Sequence, residues 1–145
     1  MEIPPRISDE TFEREFIRGA ILSTQMVFES GERKQKFIIV LNKPPVDSES
    51  LFFLTTSQTA FYDKHPQVDH VRISVGGVPC FPLETVIDCR EVYQLPRPDL
   101  KERYRQGILK FAGNLPAEIM GRIDQIVAAS RFISPRHKKI ILGWP

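Results

Sequence analysis

Residues 19–41 read GAILSTQMVFESGERKQKFIIVL, and this stretch decides the fold class. Over residues 20–28 the even-numbered side chains form one largely apolar face, with the period of two that a half-buried β-strand shows. A polar connection containing Gly31 follows, and residues 37–41 are a short apolar run rich in β-branched side chains. Such a run fits a strand buried on both faces. The stretch therefore predicts two strands separated by a loop over Glu29–Gln35.

Further strands are predicted on the C-terminal side of this stretch. They cover Leu51–Thr56, His70–Val75 and Val86–Leu95, with Ile108–Phe111 as a candidate for a sixth. The pair Gly76-Gly77 predicts a tight turn after the fourth strand. Residues 42–50 and 57–69 show almost no hydrophobic period and predict loops, the second of them long and exposed.

Three helices are predicted beside these strands. They are Thr11–Arg18, Asp99–Gln106 with a stop at Gly107, and a longer helix from Pro116 onward. In the last of these, apolar side chains recur at the spacing of one buried helix face. Residues 140–142 fit either a last strand or a helical turn.

Strands that do not alternate with helices exclude a doubly wound parallel sheet. Five or six short strands with a late amphipathic helix instead predict a mainly β fold, a small antiparallel barrel closed by a C-terminal helix. The length of 145 residues predicts a single domain over residues 1–145. Within it, residues 1–15 are expected to form a loose arm or the short helix.

Composition is that of an ordinary globular protein. Apolar residues make up 41% and charged residues 26%, which excludes intrinsic disorder. No run reaches the roughly 18 apolar residues of a membrane-spanning helix, and the acidic N-terminus is unlike a secretory signal. Because Cys80 and Cys89 are too few for a disulfide framework, we expect a reducing cytoplasm and two small buried thiols.

Most motifs that identify an enzyme class are missing from the sequence. It has no glycine loop for phosphate, no G-x-S-x-G elbow and no carboxylate pair placed for acid–base work. A metal site built from His65, His70 and Cys80 is conceivable, but their spacing is not that of zinc ligands, so we expect no metal and no cofactor. The net charge of +2 is too small to indicate nucleic acid. Residues 73–145, with 11 basic and 7 acidic side chains, fit contact with phosphate or an acidic partner, or a solvated surface.

One group of residue types is suited to phosphodiester chemistry. Arg33, Lys34 and Lys36 lie just before one strand, and Thr55–Ser57 end the next. If the two strands are neighbours, cations and hydroxyls meet at one rim of the sheet. A cation there would stabilise the charge that develops on a phosphorane. The simpler interpretation is that the threonines favour a strand and the lysines keep the surface soluble.

The predicted loop over residues 57–69 lies beside this rim and adds three candidates. Lys64 is a candidate phosphate contact, and Tyr62 is a candidate platform on which an RNA base would stack. His65 is the candidate proton carrier, because a titratable group is needed for the 2′-hydroxyl proton.

The order of these segments resembles the MazF/PemK-like toxins of bacterial toxin–antitoxin systems. The resemblance covers roughly residues 18–129 and depends on the order and spacing of several segments, none of which is a signature alone. These segments are Arg18–Ile21, Lys36–Leu41, Leu54–Ser57, Phe81–Leu83, Val86–Val92 and the helix from Pro116. The resemblance implies an SH3-like barrel, a fold that these toxins share with the gyrase poison CcdB.

The family cleaves single-stranded RNA without a metal, typically as a homodimer, and leaves a cyclic phosphate and a 5′-hydroxyl. The resemblance therefore implies a cytoplasmic endoribonuclease of a type II system, with RNA as substrate, an antitoxin as partner and no cofactor. The family's catalytic threonine corresponds to Thr55, or to Thr56 if the register slips by one residue. Its catalytic arginine corresponds to Lys36.

The chain departs from the family pattern at three positions. Lys36 keeps the charge of the arginine but lacks its planar fork. Phe37 replaces a proline, and Ala20 stands where an acid is usual. Arg33 or Lys34 would then supply the second cation. Two further interpretations stay open: a non-catalytic member of the fold that binds a protein or RNA, and a stand-alone domain without an antitoxin.

Overall fold

A computed structural model describes residues 5–42 and 49–145. Its strands are β1 (Ala20–Val27), β2 (Arg33–Val40), β3 (Glu49–Thr56), β4 (His70–Ile73), β5 (Thr85–Asp88), β6 (Tyr93–Pro96) and β7 (Lys110–Asn114). Its helices are α1 (Pro5–Glu15), α2 (Ala60–Lys64), α3 (Arg97–Arg105), α4 (Ala117–Ala129) and α5 (Pro135–Leu142). Among the described residues, no helix has both the length and the apolar run that crossing a membrane requires.

The strands form one antiparallel sheet in the order β4-β5-β3-β2-β1-β7, and β6 pairs with the first half of β3. The sheet curls into a half-barrel, and α4 contacts β4 at one end of the strand order. The prediction of a mainly β antiparallel fold with a C-terminal helix is confirmed. The uncertain tail is also settled, because residues 140–142 belong to the helix α5.

Both faces of the sheet are buried, and each has its own core. On the face that we call the α4 face, Ile39 and Phe53 pack with Ile123 of α4. On the opposite face, called the α1 face, Ile38 and Phe52 pack with α1 and α3. The alternation of strand side chains produces this division, since neighbouring residues of β2 and β3 enter different cores. The expectation of a strand at 37–41 buried on both faces is therefore confirmed.

The β1–β2 hairpin is longer than predicted. β2 begins at Arg33, inside the predicted loop, and Val27 pairs with Arg33 at the end of the ladder. The turn is tight because Gly31 adopts a φ of 83° and the Phe28 amide donates to the Glu32 carbonyl. Polar residues at the start of β2 hid this extension, since they lie beyond the buried core and give no hydrophobic alternation.

The single strand predicted over residues 86–95 is wrong. The chain forms two strands there, because β5 pairs with the end of β3 at Thr55 and Thr56, whereas β6 pairs with its beginning. The bend between them is held by Arg90, whose backbone and side chain both donate to the Asp88 carboxylate. The last strand is also displaced, since β7 begins at Lys110, two residues after the predicted start.

The helix predictions were correct to within two residues for the bounds of α3 and for the start of α4. α1 begins at Pro5 and ends at Glu15, so the first helix lies earlier in the chain than the predicted bounds of Thr11–Arg18, which were wrong. The predicted loop over 57–69 contains the short helix α2. Gly107 follows α3 with a φ of 75°, as expected for a helix stop. Most of the predicted loop at 42–50 lies outside the described residues.

Candidate functional site

A cavity of about 180 Å³ opens at the rim of the sheet, where β2 begins and β3 ends. Its walls come from both strands and from the segment before β5. The lining residues are Gln35, Lys36, Phe37, Thr55, Thr56, Ser57, Phe81, Pro82, Leu83 and Thr85. The structure thus brings together Lys36 and the hydroxyl residues that were predicted to meet, because β2 and β3 are neighbours in the sheet.

The two candidate threonines differ in what their hydroxyls do. Thr55 is buried, and its hydroxyl donates to the Phe37 carbonyl at 2.9 Å. Thr56 is half-buried, and its hydroxyl accepts a hydrogen bond from the Gln58 amide at 3.1 Å. The Thr56 hydroxyl proton is therefore available to a ligand, whereas that of Thr55 is used to hold β2 against β3.

Strand alternation also separates the two threonines. Leu54 packs in the core of the α1 face, so Thr56, two residues later, lies on that face and Thr55 on the other. Lys36 lies on the same face as Ile38 by the same rule. Ile38 pairs with Leu54 in an antiparallel ladder. Extending the same register by two residues toward the rim places Lys36 opposite Thr56. The lysine therefore shares its face with Thr56 rather than with Thr55.

Lys36 is a half-buried cation without an acidic partner among the described residues. Its Nζ lies 3.5 Å from the Thr55 carbonyl oxygen. Burial lowers the pKa of the Lys36 ammonium, the positive charge of Lys34 lowers it further, and the Glu32 carboxylate offsets only part of this. An ammonium in this setting is partly desolvated, so it would interact strongly with an anion that entered the cavity.

The other predicted cations of β2 lie outside the cavity lining. Arg33 is exposed at the tip of the hairpin. Lys34 lies on the same face as Lys36, is exposed, and pairs with Glu32 at 3.5 Å. Neither side chain lines the cavity, although both lie along the strand that leads into it.

Tyr62 does not lie where a base-stacking residue would have to lie. It is buried, with 5% of its surface exposed, and its hydroxyl donates to the Asp88 carboxylate at 2.6 Å. Burial and the bond to Asp88 raise the pKa of Tyr62 to about 12. The proposed stacking role is therefore wrong, because this ring anchors α2 to β5.

Because of its burial and its hydrogen bond to Asp88, the Tyr62 phenol should lose its proton only at high pH. Because the folded pKa is raised from about 10 to about 12, the bond's contribution to stability should be complete below pH 10 and lost as the pH rises toward 12. Tyrosinate absorbance of the folded protein should contain a component near pH 12 that disappears in Tyr62→Phe. The control Tyr104→Phe should leave that component in place. A titration unchanged by Tyr62→Phe would rule out the bond.

His65 and Lys64 are exposed at the end of α2 and do not line the cavity. The His65 ring packs on Phe61, with 4.6 Å between ring centroids. The structure therefore does not bring the candidate proton carrier together with Lys36 and Thr56.

Arg103 is a cation near this site that sequence reasoning missed. It projects from α3 to β1, where its Nη1 donates to the Gln25 carbonyl at 3.3 Å. Thr24, the residue before Gln25, lies directly opposite Lys36 in the β1–β2 ladder. No local pattern marks this arginine, because its place near Lys36 depends on how α3 packs on the sheet.

A larger cavity of about 450 Å³ contains none of the predicted site residues. It is lined by Leu54, Asp88, Arg90, Glu91, Tyr93 and Phe132. Its charged groups already have partners in the protein: Arg90 pairs with Asp88, and the Tyr93 hydroxyl donates to Glu91.

The cysteines and histidines do not gather into a site. Within residues 5–42 and 49–145, no three His, Cys, Asp or Glu side chains lie close enough to hold a metal ion. Cys89 is buried as expected, and burial raises the pKa of its thiol. Cys80 is only half-buried, so the expectation of two buried thiols was correct for one of them.

No protein-family model matches the chain, and no curated protein matches its sequence.

Proposed function

We propose that this protein is a metal-independent endoribonuclease that cleaves single-stranded RNA at the cavity between β2 and β3. The observation that carries the proposal is the position of Lys36, a half-buried cation on the same sheet face as Thr56, with no acidic partner among the described residues. A phosphodiester needs positive charge and hydrogen-bond donors at its non-bridging oxygens when the phosphorus becomes five-coordinate. The cavity offers both at an open rim.

The reaction would be an internal transfer within the RNA. The 2′-oxygen forms a bond to phosphorus and loses its proton, while the bond from phosphorus to the 5′-oxygen breaks and that oxygen gains a proton. The products are a 2′,3′-cyclic phosphate and a 5′-hydroxyl, so no outside oxidant, reductant or metal is consumed. These are also the products that the resemblance to the MazF/PemK-like toxins implies.

Lys36 would serve this reaction in two ways. Its charge stabilises the phosphorane oxygens, with the Thr56 hydroxyl as a second donor. Lys36 is also the titratable side chain among the residues that line the cavity. Its lowered pKa brings the ammonium closer to the pH at which a general acid works well, so it would protonate the 5′-oxygen as that oxygen leaves. Solvent would accept the 2′-hydroxyl proton.

The test is incubation of the purified protein with a long single-stranded RNA in EDTA, followed by mapping of the new 5′ ends. Discrete cuts are expected from the wild-type protein. Thr56→Val should reduce the single-turnover cleavage rate by about 100-fold, because it removes one donor to the transition state. Thr55→Val should leave the rate within a few-fold and instead lower the free energy of unfolding by about 1 kcal/mol, because it removes a structural hydrogen bond.

A large loss of rate in Thr55→Val with a near-normal rate in Thr56→Val would assign the chemistry to Thr55. It would contradict the placement of Lys36 and Thr56 on the same working face of the sheet. Uncut RNA from a folded wild-type protein would contradict nuclease activity. It would favour the second candidate function, a module that binds RNA or a protein without cutting it. The observation in favour of that candidate is that His65 lies away from the cavity, which leaves the site without a second titratable side chain among the described lining residues.

The resemblance carries further expectations about partners. An antitoxin would cover the basic rim by charge and a few apolar anchors, and the nuclease would be a homodimer in the cytoplasm. Leu83 lines the cavity and is 59% exposed, which gives such a partner an apolar contact beside Lys36.

A further inference from the structure

Arg103 lies at one end of a row of polar side chains that crosses three strands. Thr24 and Lys36 are paired across β1 and β2, and the continued ladder sets Thr56 beyond them on β3. All three residues lie on the α1 face by strand alternation. The Nη1 atom of Arg103 contacts the Thr24 hydroxyl at 3.5 Å and the Gln25 carbonyl at 3.3 Å. The guanidinium is therefore held at the β1 end of this row.

Arg103 differs from the other arginines of α3 in its lack of an ion pair among the described residues. Arg97 pairs with Glu13, and Arg105 pairs with Asp9 and Glu102. Arg103 has no acidic partner among the described residues, and both of its hydrogen bonds there use Nη1. Its Nη2 and Nε therefore keep donors for a ligand. An arginine that is held in place yet not neutralised is suited to binding an anion.

The spacing of the row suits one phosphodiester. Neighbouring strands lie about 4.8 Å apart, so the row from Thr24 to Thr56 spans roughly 10 Å. Lys36 directs its Nζ toward β3, where it contacts the Thr55 carbonyl, while the guanidinium of Arg103 is fixed at β1. The two cationic groups thus lie toward the two strands that flank β2.

We propose that Arg103 and Lys36 together bind the scissile phosphate of the RNA, with Arg103 supplying the guanidinium fork that Lys36 lacks. The proposal rests on the proposed ribonuclease function and extends its phosphate contacts from the cavity to Arg103, which lies beside the cavity and does not line it. Arg103 donates through Nη2 and Nε to two non-bridging oxygens, and Lys36 donates to the phosphate from the β3 side. Bidentate contacts of this kind fix both the position and the orientation of a phosphate.

The test compares Arg103→Gln and Arg103→Lys with wild type in RNA binding and cleavage. Gln keeps a donor for the Gln25 carbonyl but removes the charge, so it separates phosphate binding from support of β1. The matched control is Arg122→Ala, because Arg122 is an exposed arginine on α4 that has no acidic partner among the described residues. Thermal unfolding of each variant verifies the fold.

Arg103→Gln should lower the single-turnover cleavage rate by about 100-fold, and Arg103→Lys should restore part of it. RNA affinity falls as salt rises, and on a log–log plot each phosphate contact with a single strand contributes about 0.7 to the slope. Arg103→Gln should therefore make this slope shallower by about 0.7. A purely structural role for Arg103 would shift the unfolding temperature without changing the salt dependence. Arg122→Ala should change neither the rate nor the slope.

The outcomes separate this inference from the proposed function. Cleavage by wild type with an unchanged rate and slope in Arg103→Gln would overturn the inference and leave the nuclease intact. RNA binding without cleavage, with the slope reduced in Arg103→Gln, would overturn the nuclease and support the phosphate site. A folded wild-type protein that neither binds nor cuts RNA would overturn both.

Discussion

Lys36→Ala is expected to abolish RNA cleavage while leaving the fold intact. Removal of one preorganised donor to a developing oxyanion typically costs about 100- to 1,000-fold in rate, and Lys36 would supply both charge and a proton. The folded state should lose little, because Lys36 is half-buried and forms no ion pair among the described residues. Single-turnover cleavage of a defined RNA measures the first effect, and urea unfolding measures the second.

Two variants make this expectation specific. Lys36→Arg keeps the charge but cannot donate a proton, because a guanidinium stays protonated, so it should cleave more slowly than wild type yet faster than Lys36→Gln, which loses both roles. Lys139→Ala removes an exposed lysine of α5 that does not line the cavity and should cleave as wild type does. The rate should also fall as the pH rises through the lowered pKa of Lys36, since only the ammonium form stabilises charge. Full activity in a folded Lys36→Ala protein would refute the proposed site.

Phe12→Ala is expected to produce the largest loss of stability among the substitutions proposed. The ring is fully buried between α1, α3 and the sheet, and it stacks on Phe16 with 4.6 Å between centroids. Tyr104 and Arg97 contact its other sides. Removing a buried phenylalanine ring costs about 3–5 kcal/mol, through lost burial and the cavity left behind. Such a loss is a large fraction of the ~5–15 kcal/mol that holds a typical domain folded.

Phe132→Ala is the matched control for this loss. Phe132 is 80% exposed in the loop between α4 and α5, so the same truncation removes almost no buried surface. Urea unfolding should place Phe132→Ala within about 0.5 kcal/mol of wild type, as is usual for surface positions. If Phe12→Ala behaved like Phe132→Ala, α1 would not pack on the sheet as described.

The parts of the fold that could be predicted are those whose signal is local. β1 and β3 carry enough buried side chains to show their type in the sequence, and α4 shows one apolar face. β2 was predicted too short because its first half is polar and is held only by pairing with β1. The division into β5 and β6 could not be read from the sequence, since it depends on which half of β3 each strand meets.

The candidate site divides in the same way. The prediction that Lys36 and the threonines lie together was correct. Lys36 precedes one apolar run, the threonines follow another, and the two strands are neighbours in the sheet. Tyr62 was given the wrong role, because its hydroxyl binds Asp88, a residue 26 positions away. Arg103 was missed because its approach to Thr24 spans 79 positions and depends on the packing of α3. The surroundings of Tyr62 and Arg103 both depend on contacts between distant parts of the chain, which local secondary-structure propensity does not encode.

The pairing of β3 with three other strands has a consequence for the protein during its synthesis. Chain emerging from the ribosome can form the β1–β2 hairpin early, but β3 has only one of its edges filled until residues 85–96 arrive. The walls of the cavity also include residues 81–83 and Thr85, which are made well after Lys36 and Thr56. A nascent chain that stops before β5 therefore carries Lys36 and Thr56 without the complete cavity. Whatever chemistry the rim performs is delayed until most of the domain has been translated.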